Sequence, residues 1–132
     1  MHKLGAFAVI LDDVSRVLLA HRTDFDTWNL PGGKVEYLET PWQAVEREVL
    51  EEVGLTVRVD HLAGVYSMPE RETVAFTFLC TSTGGAISLS GEADDIRWFN
   101  SNDLPSNTLP RHVERIMDAL HINSATLLRV QD

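Results

Sequence analysis

The sequence has little of what disulfide-rich, membrane-spanning or nucleic-acid-binding proteins need. Cys80 is the only cysteine among 132 residues, which excludes a disulfide framework and a cysteine-based zinc site. No stretch approaches the roughly 18 consecutive apolar residues of a membrane helix. The apolar run over residues 4–11 stops at two aspartates, so we interpret it as a first strand and not as a secretory signal.

Basic residues are also scarce. The chain has 11 lysines and arginines against 20 aspartates and glutamates, a formal net charge of -9. This charge repels nucleic acid and anionic membrane surfaces, so we expect neither as a partner. A phosphate-bearing substrate would need bridging cations. The expected location is the cytoplasm, and the sequence is compatible with a homodimer.

The remaining pattern predicts one α/β domain over residues 1–132, with a mixed sheet between helices. The first two predicted strands form a hairpin, because turn-forming residues separate two apolar runs. An amphipathic helix is predicted over 109–122, with Val113, Ile116 and Met117 on its apolar face. The predicted strands are 4–11, 16–21, 55–67, 73–81, 86–89 and 96–100, with 125–130 as a last strand or ordered coil. Gly84 and Gly85 are expected to form the hairpin turn before residues 86–89.

The best-marked helix follows the Pro-Gly-Gly loop at residues 31–33. Thr40 is a good N-cap, and Gln43 completes a Thr-x-x-Gln capping box. Gly54 is well placed as the residue that ends the helix. The sequence therefore predicts a helix over residues 41–53.

Three glutamates crowd this helix. At about 100° per residue, Glu48, Glu51 and Glu52 form a stripe beside a separate valine stripe that faces the core. Like charges at i,i+4 destabilise a helix by roughly 0.2–0.5 kcal/mol per pair, and the helix C-terminus disfavours anions. A solvated acidic face is thus unfavourable here, whereas clustered oxygen ligands suit Mg²⁺ or Mn²⁺. The stretch predicts a cation site.

The wider spacing resembles the signature of the Nudix (MutT-like) hydrolases. Residues 33–55 are "GKVEYLETPWQAVEREVLEEVGL", with Gly33, Glu39 and Arg47 at the positions that the signature specifies. The resemblance implies a Nudix fold, an α/β/α sandwich with a mixed β-sheet and a loop-helix-loop catalytic motif. It also implies a hydrolase that cuts the diphosphate of a nucleoside diphosphate linked to a group X. Nucleoside triphosphates, oxidised nucleotides and nucleotide sugars are such substrates, and ADP-ribose is the alternative class.

The resemblance implies a metal site as well. Glu48, Glu51 and Glu52, with the backbone carbonyl of Gly33, are expected to bind one to three Mg²⁺ or Mn²⁺ ions. Arg47 is expected to orient the carboxylates, since a guanidinium fork can hold a carboxylate in one rotamer. Bound divalent ions would neutralise charge on the diphosphate and activate the attacking water.

The general base is left open at this stage. The candidates are Glu48 or Glu51 of the signature, or Glu92 of a later loop. Glu39 is expected to have a structural role, and Glu36 to lie near the metals. A Nudix-fold nucleotide sensor without turnover is the competing interpretation, although sensors usually carry a degraded signature.

Candidate substrate contacts are spread along the chain. Three histidines without metal-like spacing, His61, His112 and His121, are expected at the surface. Cys80 alternates with phenylalanines and is expected in the core. The candidate substrate-binding residues are Arg22, Trp28, Glu36, Tyr66, Arg71 and Asn107.

Overall fold

In a computed structural model, which describes residues 1–121 and 125–132, the chain forms β-sheets flanked by helices. Among these residues no helix is long and apolar enough to cross a membrane. The predicted second helix ends earlier than expected, and its last predicted residue, Ile122, lies outside the described residues. The elements are β1 (Lys3–Ile10), β2 (Val17–Arg22), β3 (Trp28–Asn29), β4 (Gly32–Lys34), α1 (Pro41–Val53), β5 (Leu55–Met68), a short 3-10 helix (Pro69–Arg71), β6 (Thr73–Gly85), β7 (Ala93–Phe99), α2 (Pro110–Leu120) and β8 (Leu127–Val130).

The strands form two sheets. The larger sheet has the order β4-β1-β6-β5-β8, and the smaller has the order β3-β2-β7. In the larger sheet β1 runs parallel to β6 and β5 runs parallel to β8, whereas its other pairs are antiparallel. The predicted mixed sheet is therefore confirmed, and the tail is a strand. The second sheet was not predicted. The predicted strand over residues 86–89 is wrong, because β6 itself continues to Gly85 and residues 86–89 form no strand.

The predicted hairpin of the first two strands is wrong. β1 and β2 lie in different sheets, and their pairing within the described chain is limited to a bridge between Leu11 and Val17. The reason is that β1 is buried on both faces: Ala8 and Ile10 belong to the core cluster under α1, and Val9 to the cluster under α2. A strand buried on both faces lies inside a sheet, here between β4 and β6.

Helix α1 begins and ends where the sequence predicts. The Thr40 hydroxyl accepts a hydrogen bond from the Gln43 backbone N–H, and the Gln43 side chain accepts one from the Thr40 N–H, which completes the capping box. Gly54 has φ 84° and donates to the Leu50 carbonyl. A Cβ at Gly54 would also lie 2.4 Å from the Ala86 carbonyl oxygen, so only glycine fits this end.

Valines fix the rotation of α1. Val45, Val49 and Val53 are fully buried in one core cluster, which also contains residues of β1, β5 and β6. Burying each such side chain contributes roughly 1.5–3 kcal/mol, as an upper estimate. This packing sets the direction of the glutamate stripe, which lies at the edge of the core beside β4.

Helix α2 departs from the predicted apolar pattern. Ile116 and Ala119 are buried, but Met117 is 43% exposed. The predicted surface position of His112 is wrong, because its side chain is only 3% exposed, and Arg115 is 2% exposed. The inner face of α2 is therefore partly polar, which apolar periodicity does not reveal.

Candidate active site

Three carboxylates from separate parts of the chain converge beside β4. Glu48 and Glu52 are one turn apart on α1, and Glu92 immediately precedes β7. Each offers a carboxylate oxygen, and these oxygens all lie within 4.8 Å of one another. The loop that carries Glu92 is held by Thr23, whose N–H donates to the Glu92 carbonyl oxygen at 3.3 Å. We call Glu48, Glu52 and Glu92 the carboxylate cluster.

Two glycines of β4 form the floor under this cluster. The Gly32 N–H donates to Glu52 Oε2 at 3.3 Å. Gly32 has φ 152°, and a Cβ there would lie 2.3 Å from the Ala6 carbonyl oxygen, so a side chain is excluded. At Gly33 a Cβ would lie 2.7–2.9 Å from the carboxylate atoms of Glu48. The Gly-Gly pair therefore lets both glutamates approach the β4 backbone.

Burial, and then the mutual repulsion of the carboxylates, disfavour the charged form of the cluster. Burial raises the pKa of Glu52 to about 7; the Gly32 hydrogen bond opposes this shift, and the charges of Glu92 and Glu48 add to it. Burial likewise raises the pKa of Glu48, although Arg47 opposes the shift. Either protonation or a bound cation would relieve this repulsion. The cluster could therefore hold a divalent metal ion.

Arg47 connects the loop before α1 to the glutamates of the helix. Its Nε and Nη2 donate to the two carboxylate oxygens of Glu39 at 2.7 and 3.0 Å. Its Nη1 donates to Glu48 Oε1 at 3.0 Å and to Glu51 Oε2 at 3.1 Å. Its Nη2 also donates to the Lys34 carbonyl oxygen. The guanidinium thus fixes one rotamer of Glu48, and Glu39 has the structural role that its position implies.

Two of the predicted site glutamates lie outside the carboxylate cluster. Glu51 is exposed and points towards Arg47. Glu36 is also exposed, with Oε1 3.9 Å from Arg47 Nη2. The structure therefore brings together Gly33, Glu48 and Glu52 as predicted, and adds Glu92, which was predicted as a base.

A cavity of about 680 Å³ opens beside the cluster. Glu52, Glu92 and the two glycines of β4 line one part of its wall. Basic residues line much of the rest, together with the apolar side chains of Phe7, Leu30 and Met68. This is the volume in which a substrate would meet the carboxylates. Its basic residues are Lys3, Arg22, Lys34, Arg71, Arg111 and Arg115.

Among the predicted substrate contacts, only the two arginines line this cavity. Arg22 lies on its wall and pairs with Asp24, with Nε 2.7 Å from Oδ1. Arg71 follows β5 in the short 3-10 helix and is exposed on the wall. Both side chains are placed to contact a bound anion.

The structure argues against direct substrate contacts by Trp28, Tyr66 and Asn107. The Tyr66 side chain is fully buried, and its hydroxyl donates to Asp118 Oδ2 at 2.9 Å. Trp28 packs edge-on between the rings of His21 and Phe99. Tyr66 and Trp28 therefore each have a packing role among the described residues.

Asn107 has a comparable role in the loop before α2. Its Nδ2 donates to the backbone oxygen and to Oδ1 of Asp26, both at 3.0 Å. Asp26 Oδ1 also contacts His21 Nε2 at 2.8 Å. The amide is therefore already engaged within a loop contact, away from the described cavity wall.

Several polar residues of the cavity wall were missed by sequence reasoning, and three of them are buried or carry a buried polar atom. His112 and Arg115 come from the inner face of α2, and Asn29 from β3. Asn29 Oδ1 is buried without a hydrogen-bond partner among the described residues. A signal existed only for α2, where Arg111 and Arg115 are one turn apart and so share a helix face.

The fold and the site together define a class of protein. A mixed sheet between two helices, with a glycine floor and a carboxylate-bearing helix beside a cationic cavity, is the arrangement that the 33–55 signature implies. The NUDIX domain model matches residues 1–120. The chain belongs to the Nudix hydrolase family.

Individual relatives agree with this assignment. A MutT-like protein of Streptomyces ambofaciens is 37% identical over 120 residues, covering 91% of this chain and 78% of the relative. A Bacillus subtilis protein, provisionally named an 8-oxo-dGTP diphosphatase, is 33% identical over 119 residues, covering 89% and 80%. A crystal structure of a NUDIX hydrolase from Nitrosomonas europaea superposes with a TM-score of 0.88 at 24% identity, covering 98% of this chain and 78% of that one. The last match supports the fold alone.

Gly33→Ala is expected to impair hydrolysis while leaving the protein stable. The new Cβ would displace the Glu48 carboxylate, which lies at the end of a flexible side chain. A misplacement of about 1 Å can cost about 100-fold in rate, whereas the free energy of unfolding should change by no more than about 0.5 kcal/mol. Steady-state kinetics and urea unfolding measure the two effects. Gly91→Ala is the control, because a Cβ there meets no atom within 4 Å; equal kinetics in both variants would contradict the prediction.

Proposed function

We propose that the protein is a Mg²⁺-dependent pyrophosphohydrolase that cuts within the diphosphate of a nucleoside diphosphate linked to a group X. The observation that carries the proposal is the convergence of Glu48, Glu52 and Glu92 within 4.8 Å, with Glu52 and Glu92 on the wall of a cationic cavity. Isolated carboxylates gain nothing from such proximity. A site that binds a cation and then a polyphosphate gives this arrangement a chemical reason.

The donor set fits a hard divalent cation. Mg²⁺ takes oxygen ligands, and it usually combines one or two carboxylates with substrate phosphates and water. We assign Glu48, Glu52 and the Gly33 carbonyl oxygen as ligands, and Glu51 as a ligand for a further ion at the exposed edge. One to three Mg²⁺ or Mn²⁺ ions fit this assignment. When bound, such ions supply positive charge to the diphosphate and lower the pKa of water.

Two residues of the chain, Glu92 and Arg22, are assigned the remaining catalytic roles. Glu92 accepts the proton of the attacking water at a carboxylate oxygen. It suits this role better than Glu48 or Glu51, because Arg47 already binds an oxygen of each of these carboxylates and both are assigned to metal ions. Among the described residues, Glu92 forms no ion pair. Arg22 binds a phosphate oxygen and holds the diphosphate in line.

The relatives support nucleotides as substrates. The Bacillus subtilis relative carries the name of an 8-oxo-dGTP diphosphatase, so oxidised purine nucleoside triphosphates are the first class to test. Nucleotide sugars and ADP-ribose are the other classes in which a diphosphate joins a nucleoside to X. A nucleotide panel with Mg²⁺ tests the function directly: turnover that chelator abolishes supports it. Tight binding without turnover would identify a nucleotide sensor instead.

Glu92→Gln is expected to show whether Glu92 is the general base or a metal ligand. Loss of a general base typically costs about 10²–10⁴-fold in rate, so kcat should fall in this range. Mg²⁺ affinity, measured by titration calorimetry, should stay within about threefold of wild type. Asp95→Asn, on β7 beyond the cluster, is the matched control. If Mg²⁺ affinity falls along with kcat, Glu92 is a ligand and the base lies elsewhere.

A further inference from the structure

Cations line the cavity out of proportion to their number in the chain. Six of the 11 basic residues reach its wall, against three of the 20 acidic residues. Arg22 and Lys34 are accounted for by the carboxylate cluster, because the charge of Arg22 acts on Glu52 and Lys34 follows Gly33 in the chain. The cluster does not explain the other four, which are Lys3, Arg71, Arg111 and Arg115.

Arg115 is the most unusual of these four. Its side chain is 2% exposed. Its Nε donates to Gln131 Oε1 at 3.1 Å, and its Nη2 lies 4.0 Å from Met68 Sδ. The guanidinium lies over the rings of Phe7 and Tyr66, 5.0 and 5.1 Å from their centroids. All four partners are neutral, and no carboxylate among the described residues forms an ion pair with Arg115. Its buried charge is therefore in a costly state, which the charge of Glu114 offsets in part.

The neighbouring arginines increase the cost of burying the Arg115 charge. Burial lowers the pKa of Arg115 to about 10, and the charge of Arg111 acts in the same direction. Burial also lowers the pKa of Arg111, with Arg71 adding to the shift. Within the described chain, neither Arg71 nor Arg111 forms an ion pair with a carboxylate. Three guanidinium groups therefore share one part of the cavity, and none of them has an ion-pair partner in the described chain.

His112 adds a further donor at the same place. Its Nδ1 accepts a hydrogen bond from the Leu30 N–H at 2.9 Å. Burial and the charges of Arg115 and Arg111 hold the pKa of His112 well below its usual value, so the ring is neutral. A neutral ring that accepts at Nδ1 carries its proton on Nε2. His112 therefore lines the cavity as a donor.

We propose that Arg111, Arg115 and His112 form a second oxyanion-binding subsite, separate from the carboxylate cluster. These side chains offer donors, and arginine forks match the oxygens of a phosphate or a carboxylate. The inference rests on the proposed function, in which this cavity holds the substrate. It assigns a substrate class: nucleoside diphosphates whose linked group X carries a phosphate or carboxylate besides the diphosphate that is cut.

The test is anion binding without metal. The protein in chelator, at constant ionic strength, is titrated with inorganic phosphate and separately with acetate, and binding is followed by calorimetry and by thermal shift. Saturable binding of at least one anion is expected for wild type. Arg115→Met and Arg111→Gln should each weaken it about tenfold or more, since each removes charged hydrogen bonds. Binding of phosphate or of acetate shows whether the subsite prefers a phosphate or a carboxylate on group X.

An arginine outside the cavity serves as the control for these variants. Arg58→Gln, on the exposed edge of β5 and paired with Asp60, should bind as wild type does. Arg115→Met replaces a buried charge by an apolar side chain, which often leaves stability unchanged or raised; should it fail to fold, Arg111→Gln decides. Wild type without saturable binding of either anion, or variants that bind equally well, would overturn the subsite. Mg²⁺-dependent nucleotide turnover by the same wild-type sample would then show that the proposed function stands by itself.

Discussion

Glu52→Gln is expected to lower kcat/KM by at least about 100-fold while the protein keeps its fold. Changing an outer partner of a metal ligand typically costs 10–100-fold, and Glu52 is proposed as a direct ligand. It is also the cluster member held by the β4 backbone, through the Gly32 N–H. Glutamine keeps the shape and loses the charge. Steady-state kinetics with Mg²⁺ and circular dichroism measure the two outcomes.

Glu52→Gln lowers activity but is expected to raise the stability of the protein when divalent ions are absent. With a folded-state pKa of about 7 against an ordinary value of 4.5, folded Glu52 holds a proton that the unfolded chain has already lost. Stability without metal therefore falls as pH rises from about 4.5 to 7 and stays low above that. Glu52→Gln removes this loss, so the variant should melt above wild type at pH 8 in chelator, and the difference should vanish towards pH 4.

A matched control lies on the same helix. Glu46 is exposed and outside the carboxylate cluster, so Glu46→Gln should leave turnover and metal dependence unchanged. Added Mg²⁺ should raise the melting temperature of wild type, because it binds only the native state, and should raise that of Glu52→Gln much less. Full activity in Glu52→Gln, or equal Mg²⁺ stabilisation of both proteins, would remove Glu52 from the metal site.

Helix α1 shows why part of this molecule could be predicted from sequence. Its caps, its valine stripe and its glutamate stripe are all local features, spaced within 15 residues. Thr40 and Gly54 fix the ends, and the buried valines fix the rotation. The spacing of residues 33–55 then predicts the family. Local chemistry was sufficient because the signature is itself a local structure.

The parts that could not be predicted depend on long-range contacts. Glu92 joins Glu48 and Glu52 only because β7 pairs with β2 and its loop is held by Thr23. Glu51 shares the local stripe, yet the sheet edge faces Glu48 and Glu52 and leaves Glu51 exposed. Spacing on a helix identifies candidate ligands, and the neighbouring elements decide which of them meet.

The buried polar side chains of α2, His112 and Arg115, were missed for a related reason. Periodicity assigns a helix face by its apolar residues, so it placed Met117 inside and His112 outside. The cavity reverses this, since a polar face is buried where it borders a binding site. A pair of arginines one turn apart, Arg111 and Arg115, was the only sequence signal of that face.

Arg47→Lys is the second variant with a large expected effect. Arg47 donates to Glu39, Glu48, Glu51 and the Lys34 carbonyl oxygen at once. Lysine keeps the charge but is a single point donor that cannot reproduce the fork. Glu48 should then lose its fixed rotamer, and kcat/KM should fall about 10–100-fold, as for other partners that orient metal ligands.

A positioning role for Arg47 predicts more than lost stability. The Mg²⁺ concentration that gives half-maximal rate should rise about tenfold, and calorimetry should show the same loss of Mg²⁺ affinity. Arg58→Lys, which changes an exposed arginine paired only with Asp60, should alter neither. If Arg47→Lys lowers the melting temperature while its Mg²⁺ affinity and Mg²⁺-saturated kcat remain those of wild type, Arg47 serves to connect the Glu39 loop to α1 and does not orient the ligands.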